Sequence, residues 1–429
     1  MVGDGAPRSV SLDGAAGRRG TNLPAMADFN QSVILEAVRR APMGLSRVEL
    51  AEGTGLSAQT VSNICRRLLD ADLISEAGKE VTGPGKPRTI LRLNPGGRFA
   101  LGAHLDPTVT TVVLLDLAGS VVARERIGTP LEQRPDEVMD AIAATAERLL
   151  VDSGIDRSRL AGLGVAAPGP IDPVAGALVE PPNLHGWHRV ALRDELRLRS
   201  GMEVVVDKDV TAAAVAEKWA AASGAGSGSF VFLYVGTGIG AGIVVDGEVV
   251  RGSLDNAGEV GHIVVDPDGP TCTCGSRGCV AVTCTPEALV REWWMLSGRS
   301  TELSTTDTEA IDDAFTLLAA EAESGDPLAV LVLERAATRF ARLLAVMTNL
   351  LDVDRVVLGG PFLTPISARM MTRVPVELEG LRAARGIHPL GVETSVLGDD
   401  VAAIGAAALI LDRTLSPQTR SLMLPAILA

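Results

Sequence analysis

Aromatic residues are scarce in this chain, which has one tyrosine, four tryptophans and seven phenylalanines among 429 residues. No apolar run reaches the roughly 18 residues that a membrane-spanning helix needs. The first 27 residues lack the apolar core of a signal peptide, so we interpret residues 1–27 as a disordered leader. These absences predict a cytoplasmic protein with no membrane partner. The abundant alanine, glycine and valine favour an α/β fold, and the length predicts two or three domains.

Cysteine is also rare, but four of the five cysteines lie within 13 residues, at positions 272, 274, 279 and 284. Such clustering in a cytosolic chain favours a metal site over disulfides. His262, Cys272, Cys274 and Cys279 form a Cys₃His set, which predicts a closed, structural Zn²⁺ site. The alternative is a group of reduced thiols without metal. Cys65 and Cys284 are predicted to be core residues.

The net charge of −14 is unevenly distributed along the chain. Residues 28–98 hold ten lysines and arginines against eight acidic residues, whereas the residues from 99 onward hold 26 against 43. An acidic body can coexist with a head that contacts the phosphates of DNA. The charge therefore does not exclude nucleic acid as a partner of residues 28–95.

Residues 28–95 carry the signals of a winged helix-turn-helix. Apolar residues between Phe29 and Val38 have helical spacing, and residues 46–49 are a capping box that opens a second helix through Glu52. A glycine turn follows, and Ser57 caps a third helix. Two short strands near residues 73–76 and 90–93 predict a hairpin with a basic Gly/Pro tip, the wing.

The third helix of such a motif lies in the major groove of double-stranded DNA. Gln59 and Asn63 suit pairing with adenine, Arg66 and Arg67 suit phosphate contacts, and the wing tip suits the minor groove. Alternatives are a protein-binding three-helix head and, for the wing charges, a solvated loop. The residues predicted to contact DNA are Ser57, Gln59, Thr60, Asn63, Arg66, Arg67, Lys86 and Arg88.

From residue 98 onward, strands and helices alternate in an order that fits an actin-like nucleotide-binding core. A second set of elements starts at Phe230 and contains a glycine-rich turn over residues 236–240, where backbone N–H groups can approach phosphate. We predict a first lobe over residues 98–213, a second lobe with the zinc loop over 214–413, and a tail over 414–429.

Several motifs of this body resemble those of the ROK family (repressor, open reading frame, kinase). The resemblance implies an α/β fold with two actin-like (ribonuclease H-like) sugar-kinase lobes and a sugar in the cleft between them, beside zinc. Members with a DNA-binding head are transcriptional regulators, so the head implies a repressor that binds a DNA operator as a homodimer or homotetramer. The motifs are residues 167–172, 183–187, 236–240, 259–279, 357–360, 397–400 and 404–406.

The chain departs from the kinase pattern of this family. Kinases open with an Asp-x-Gly-Gly-Thr-Lys loop for ATP phosphate, but here Pro107 follows Asp106 and removes an N–H donor. The family's catalytic base falls on Asp209, its sugar-binding Asn falls on Lys208, and a sugar-binding Glu falls on Ala281. We therefore predict that the chain is not an active enzyme, with an active sugar kinase bearing a DNA-binding head as the alternative.

The resemblance also implies an effector site for a sugar or a sugar phosphate. Lys208 is expected to pair with Asp207 or with a ligand phosphate. A second alternative is an empty cleft and control by a protein partner. The residues of the predicted effector site are Asn183, Lys208, Asp209, Glu259 and His262.

Overall fold

The computed structural model describes residues 23–80, 87–129, 134–181, 184, 186–220, 228–299 and 308–417. The chain divides into two compact units. The described parts of the first unit are residues 23–38, 43–80, 87–92 and 415–417, and the second unit comprises residues 39–42 together with the described residues between 93 and 414. Among the described residues, no helix is both long and apolar enough to cross a bilayer.

The first unit is a winged helix-turn-helix, as predicted. Its three strands form one sheet in the order β1-β3-β2. The apolar faces of its helices meet in a core that includes Ile34, Leu50, Ile64 and Leu68. The elements are α1 Leu23–Arg39, β1 Leu45–Ser46, α2 Arg47–Thr54, α3 Ala58–Asp70, β2 Ile74–Glu80 and β3 Arg88–Leu93.

Two predicted boundaries of this unit are corrected. Helix α1 begins at Leu23, inside the predicted disordered leader, because Ala25, Met26 and Ala27 favour a helix and Pro24 is tolerated in a first turn. Helix α2 continues two residues beyond Glu52, to Thr54, and ends where Gly55 takes a left-handed conformation with φ 70°.

The second unit contains two five-stranded sheets with the same topology. The first has the order β11-β7-β4-β5-β6, in which β4, β7 and β11 are parallel and β5 and β6 are antiparallel neighbours. Strands β8, β9 and β10 form a separate three-stranded sheet in the order β10-β9-β8. The elements of this part of the chain are β4 Phe99–His104, β5 Val109–Asp116, β6 Val121–Gly128, α4 Pro135–Asp152, β7 Leu160–Ala167, β8 Ile171–Asp172, β9 Ala177–Val179, β10 Arg189–Val190, α5 Leu192–Ser200, β11 Val204–Lys208 and α6 Asp209–Ala220.

The second sheet repeats this arrangement as β14-β13-β12-β15-β16, with β12, β15 and β16 parallel. A repeated five-stranded sheet of this kind is the two-lobed actin-like fold that the sequence predicts. The elements are β12 Phe230–Val235, β13 Ile239–Val245, β14 Glu248–Val249, α7 Val280–Thr283, α8 Pro286–Ser297, α9 Thr308–Ser324, α10 Pro327–Leu351, β15 Arg355–Gly359, α11 Ser367–Leu381, β16 Gly391–Thr394 and α12 Val401–Leu415.

Two helices pack on the sheet of the other lobe. A Cβ at Gly242 of β13 would lie 2.3 Å from the carbonyl oxygen of Val210, so α6 packs directly on the second sheet. A Cβ at Gly102 of β4 would lie 2.2 Å from the carbonyl oxygen of Ala403, so α12 packs on the first sheet. The predicted lobe boundary at 213/214 therefore falls inside a continuous helix, and α12 returns to the first lobe.

Candidate DNA-binding helix, cleft and metal site

The second and third helices of the head are held by side-chain caps. Ser46 Oγ accepts from the Glu49 N–H at 3.3 Å, and Glu49 Oε2 accepts from the Ser46 N–H at 2.7 Å. This hydrogen bond from the Ser46 N–H lowers the pKa of the Glu49 carboxyl. At the start of α3, Ser57 Oγ accepts from the Thr60 N–H at 3.2 Å. The capping box predicted from the sequence is present.

The exposed face of α3 presents the residues that the sequence selected for DNA contacts. Gln59 Nε2 donates to Asn63 Oδ1 at 3.2 Å, so these side chains lie one turn apart on the same face. Arg66 and Arg67 are exposed farther along the helix. The Ser57 hydroxyl caps α3, and Thr60 is half-buried beside it. Arg88 is exposed at the start of β3, whereas Lys86 lies outside the described residues.

The cleft of the second unit contains a cavity of about 110 Å³. Its lining brings together Lys208, Asp209 and Glu259 of the predicted effector site with Asp106 and Pro107 of the segment predicted to correspond to the kinase loop. His262 does not line this cavity but lies beside the cysteines. Asn183 lies outside the described residues.

Lys208 lies at the carboxyl end of β11 with only 2% of its surface exposed. Its Nζ donates to Glu259 Oε1 at 2.5 Å and to the carbonyl oxygens of Ala257 at 3.1 Å and Asn256 at 3.4 Å. The predicted ion pair between Lys208 and Asp207 is wrong, because successive side chains of a strand point to opposite faces. Asp207 instead pairs with Arg251, whose Nε lies 3.0 Å from Asp207 Oδ2.

Asp209, where the resemblance places the catalytic base, is the first residue of α6 and lines the cavity. Burial raises the pKa of its carboxyl, against the lowering effect of His104 and the Val210 N–H. The Val210 N–H donates to Asp209 Oδ1 at 2.7 Å.

Tyr234 also lines the cavity, and the sequence reasoning missed it. Its hydroxyl is buried and has no hydrogen-bond partner among the described residues. Burial, together with the charges of Asp106 and Asp209, raises its pKa well above 10. The signal in the sequence was its position: it is the single tyrosine, and it is the penultimate residue of an apolar strand that leads into the glycine-rich turn.

The two segments that the sequence predicts would face a nucleotide phosphate contain internal hydrogen bonds. Asp106 Oδ1 accepts from the Thr108 N–H at 2.9 Å, and its Oδ2 accepts from Thr237 Oγ1 at 3.4 Å. In the glycine-rich turn, the Gly236 N–H donates to the Gly238 carbonyl at 2.9 Å.

Outside the cavity, a compact donor cluster is made by His262, Cys272, Cys274 and Cys279, whose ligand atoms all lie within 4.8 Å of one another. His262 Nδ1 lies 3.4 Å from Cys272 Sγ, and Cys274 Sγ lies 3.6 Å from Cys279 Sγ. A tight loop brings the cysteines together. At Gly278 (φ 68°) a Cβ would lie 1.4 Å from the Asp266 carbonyl oxygen, so only glycine fits.

The electrostatics of the cluster fit a cation. Hydrogen bonds from Ser276 lower the pKa of Cys274 to about 6, while burial and the neighbouring thiols raise that of Cys279 to about 12. A divalent cation would remove this conflict, because it stabilises all three thiolates together. One imidazole and three thiols at mutual contact distance can therefore bind a metal ion. Cys65 and Cys284 are buried away from this set, as predicted.

Comparison with known proteins agrees with both units. The model of the ROK family matches residues 101–413, and a model described as winged helix-turn-helix DNA-binding matches residues 32–75. The DNA-binding transcriptional dual regulator NagC of Escherichia coli K12 is 28% identical over 372 residues, which is 85% of this chain and 88% of NagC. A glucokinase of Thermotoga maritima is 30% identical over 323 residues, 73% of this chain and 97% of the glucokinase.

The similar solved structures likewise include a transcriptional regulator and a sugar kinase. A ROK family transcriptional regulator, described as a homolog of the E. coli MLC protein, superposes with a TM-score of 0.71 at 23% identity and covers 91% of this chain and 98% of its own. A Streptomyces griseus ROK glucokinase, solved with glucose and AMPPNP, has a TM-score of 0.60 at 26% identity and covers 72% of this chain and 98% of its own. The chain belongs to the ROK family, and it carries a winged helix-turn-helix DNA-binding domain before its ROK domain.

Proposed function

We propose that this protein is a transcriptional repressor that binds operator DNA through α3 and is controlled by a ligand in the cleft of its ROK domain. The observation that carries the proposal is the exposed pair Gln59 and Asn63 on a capped helix, in the same chain as a ROK domain. Relatives named N-acetylglucosamine repressor match 85% of the chain, which supports repression as the direction of control.

The DNA contacts follow from the geometry of the head. Helix α3 enters the major groove with Gln59 and Asn63 at base edges, while Arg66 and Arg67 reach phosphates. Arg88, and Lys86 beyond the described residues, place the wing against the adjacent groove. A homodimer then presents two such heads to two half-sites, since operator symmetry mirrors the two-fold symmetry of a dimer.

Control by ligand follows from a shift between two states of the cleft. A sugar or sugar phosphate that binds one separation of the lobes better than another shifts the population toward it. The wall around Lys208, Asp209 and Glu259 supplies the polar contacts for such a ligand. The alternative is a cleft that binds no small molecule, with control by a protein partner.

The same cleft supports the absence of kinase activity. Phosphoryl transfer depends mainly on positioning and on electrostatic stabilisation of the phosphates. Pro107 has no N–H to donate, and the Gly236 N–H is already bonded to Gly238. Asp209 alone, as a general base, would supply only about 10²–10⁴-fold.

An active sugar kinase is the second candidate, favoured by the retained Asp209 and by the glucokinase relatives. It is tested by incubating the purified full chain with Mg-ATP and a panel of hexoses and N-acetylhexosamines. We expect no ADP above the background of an Asp209→Asn variant. Turnover at an enzyme-like rate that Asp209→Asn abolishes would establish the kinase instead.

We further propose that the donor cluster holds a structural Zn²⁺. Its ligands would be His262 Nδ1 and the sulfurs of Cys272, Cys274 and Cys279. Zinc supplies a cross-link and positive charge for the thiolates, with no position left open for catalysis. By holding the loop that follows Glu259, the four side chains stiffen one wall of the cleft.

The proposed function is tested by capture of genomic fragments with the purified full chain, followed by gel shifts on the enriched sequences. We expect one recurring, two-fold symmetric motif, and loss of its recognition in the double variant Gln59→Ala/Asn63→Ala. Enrichment of the same fragments by that double variant would exclude α3 as the reading helix. Capture without any shared motif would exclude a sequence-specific repressor.

A further inference from the structure

Among the described residues, Lys208 is the one lysine or arginine that lines the cavity, and its ammonium group makes three hydrogen bonds. An ammonium group has three donors. Here they reach Glu259 Oε1 and the carbonyl oxygens of Ala257 and Asn256. The partners belong to residues 256–259, so the lysine side chain joins the end of β11 to that loop. The side chain of Lys208 thus connects two walls of the cleft and occupies space between them.

We propose that Lys208 determines which ligands the cleft accepts: it excludes neutral hexoses and selects sugar derivatives that carry an acid group. The proposal rests on the proposed function, since it takes the cleft as the effector site.

The first reason is space. With Lys208 in place the cavity measures about 110 Å³, whereas ligand sites in proteins are roughly 300–1,000 Å³. The opposite wall is equally close, because a Cβ at Gly169 would lie 3.0 Å from Lys208 Cε and 3.2 Å from Glu259 Oε1. A hexose that enters this cavity therefore meets the Lys208–Glu259 pair and competes with it for space.

The second reason is charge. Lys208 is 2% exposed, whereas the side chain of Glu259 is 64% exposed, so Glu259 is the partner that can turn into solvent. If a neutral hydroxyl replaced it, the buried ammonium would lose its hydrogen-bonded counter-charge and keep only the electrostatic interaction with Asp209, which is unfavourable. If a phosphate or carboxylate replaced it, one anion would be exchanged for another and the charge-assisted hydrogen bond would be kept.

The third reason is that the other acceptors of Lys208 are held in place. Asn256 Oδ1 accepts from the Ile171 N–H at 2.8 Å, and Asn256 Nδ2 donates to the Ile171 carbonyl at 2.7 Å. Arg251 pairs with Asp207 at 3.0 Å. These contacts keep the loop of residues 251–257 against the first lobe, so only the Glu259 side of the ammonium is open to exchange.

The experiment is titration calorimetry of the full chain with each hexose of a panel in three forms: the free sugar, its 6-phosphate and its uronic acid. For at least one hexose we expect the 6-phosphate or the uronate to bind wild type at least about tenfold more tightly than the free sugar. The two acid forms distinguish phosphate from carboxylate as the selected group. Inorganic phosphate, titrated alone, is expected to bind at least about tenfold more weakly than the selected form.

Two substitutions separate the charge from the volume of the lysine. Lys208→Met keeps the volume and removes the charge, so it should lose the acid-bearing ligand and still exclude the free sugar. Lys208→Asn removes both, so the preference for the acid form over the free sugar should fall by about tenfold or more. Lys218→Asn is the matched control, because Lys218 pairs with Asp412 outside the cavity lining, and it should bind like wild type.

Three results would overturn the proposal: free hexoses binding wild type as tightly as the acid forms, no acid form binding wild type, or unchanged preferences in Lys208→Asn. Melting curves of the variants show whether each is folded. Gel shifts with the captured DNA keep the proposed function separate, because a protein that binds its operator but fails the ligand test loses only this inference.

Discussion

Gly405 of α12 lies directly against the backbone of α6, where a Cβ at position 405 would stand 1.9 Å from the carbonyl oxygen of Ala212. These two helices are the ones that pack on the sheet of the opposite lobe. Their close approach is possible because α12 is rich in alanine and has glycine at the contact point. The close packing at the junction between the lobes therefore requires a residue without a Cβ at position 405.

Gly405→Ala is expected to destabilise the ROK domain by about 1–3 kcal/mol or more, because the helix backbones must separate to admit the methyl group. Denaturant unfolding of the full chain, followed by tryptophan fluorescence, measures the effect. Gly380→Ala in α11 is the control: nothing lies within 4 Å of its Cβ, so it should leave stability unchanged or raise it by up to about 1 kcal/mol. Equal stability of the two variants would contradict the packing described for α6 and α12.

The exposed residues of α3 are expected to differ in how they bind DNA. Asn63→Ala should cost about 1–3 kcal/mol on the captured operator and relax the preference at one base pair. Arg66→Ala should weaken binding to all sequences and reduce the slope of log K against log salt by about 0.9. Gel shifts at several salt concentrations separate the two effects. Arg134→Ala, outside the head, is the control. If it lowered the salt slope as much as Arg66→Ala does, the result would contradict DNA binding through α3.

The capping box predicts a pH dependence of α2. Because the pKa of Glu49 is lowered in the folded head, its contribution is fully present above the ordinary glutamate pKa of about 4.3 and is lost as the pH falls through the folded value. Amide hydrogen exchange of residues 47–54 should therefore lose protection in wild type below about pH 4.3. Glu49→Gln should lack this loss. Glu52→Gln, in the same helix but outside the capping box, should retain it, and identical profiles for the two variants would contradict the assignment.

The proposed metal site predicts a stoichiometry of zinc binding. Protein stripped with a chelator should take up one Zn²⁺ per chain and release protons, because the ligating thiols must be deprotonated. Calorimetry in buffers of different ionisation enthalpy measures both quantities. Cys274→Ser should weaken binding strongly, whereas Cys284→Ser should bind like wild type, since Cys284 is buried outside the donor set. Equal zinc affinity in the two variants would contradict the assignment of the donor cluster as the zinc site.

The parts of the structure that the sequence predicted correctly are those whose signals are local. The capping box spans four residues, the apolar stripe of α3 repeats within one helix, and the donor set lies between His262 and Cys279. In each case the interacting groups are brought together by a helix turn or by a loop that needs only a few glycines. Their geometry is therefore nearly independent of the rest of the chain.

The contacts in the cleft, by contrast, do not follow from local signals in the sequence. The sequence identified Lys208, Asp209 and Glu259 as neighbours only through a family resemblance, and the expected partner of Lys208 was the adjacent Asp207 or a ligand phosphate. The observed partner, Glu259, is 51 positions away, and Tyr234 reaches the same cavity from another sheet. Strand alternation excludes the nearby carboxylate, but no local rule selects the distant one.

By itself, then, the sequence determined a winged helix-turn-helix head, a Cys₃His donor set and a repeated α/β body, because short-range periodicity, capping and spacing specify each of them. Only the tertiary structure decided that α6 and α12 each pack on the sheet of the opposite lobe and touch at Gly405. It also decided that the ammonium of Lys208 forms its hydrogen bonds within the cleft. Both depend on contacts between segments far apart in the chain, where burial and steric fit select the partner.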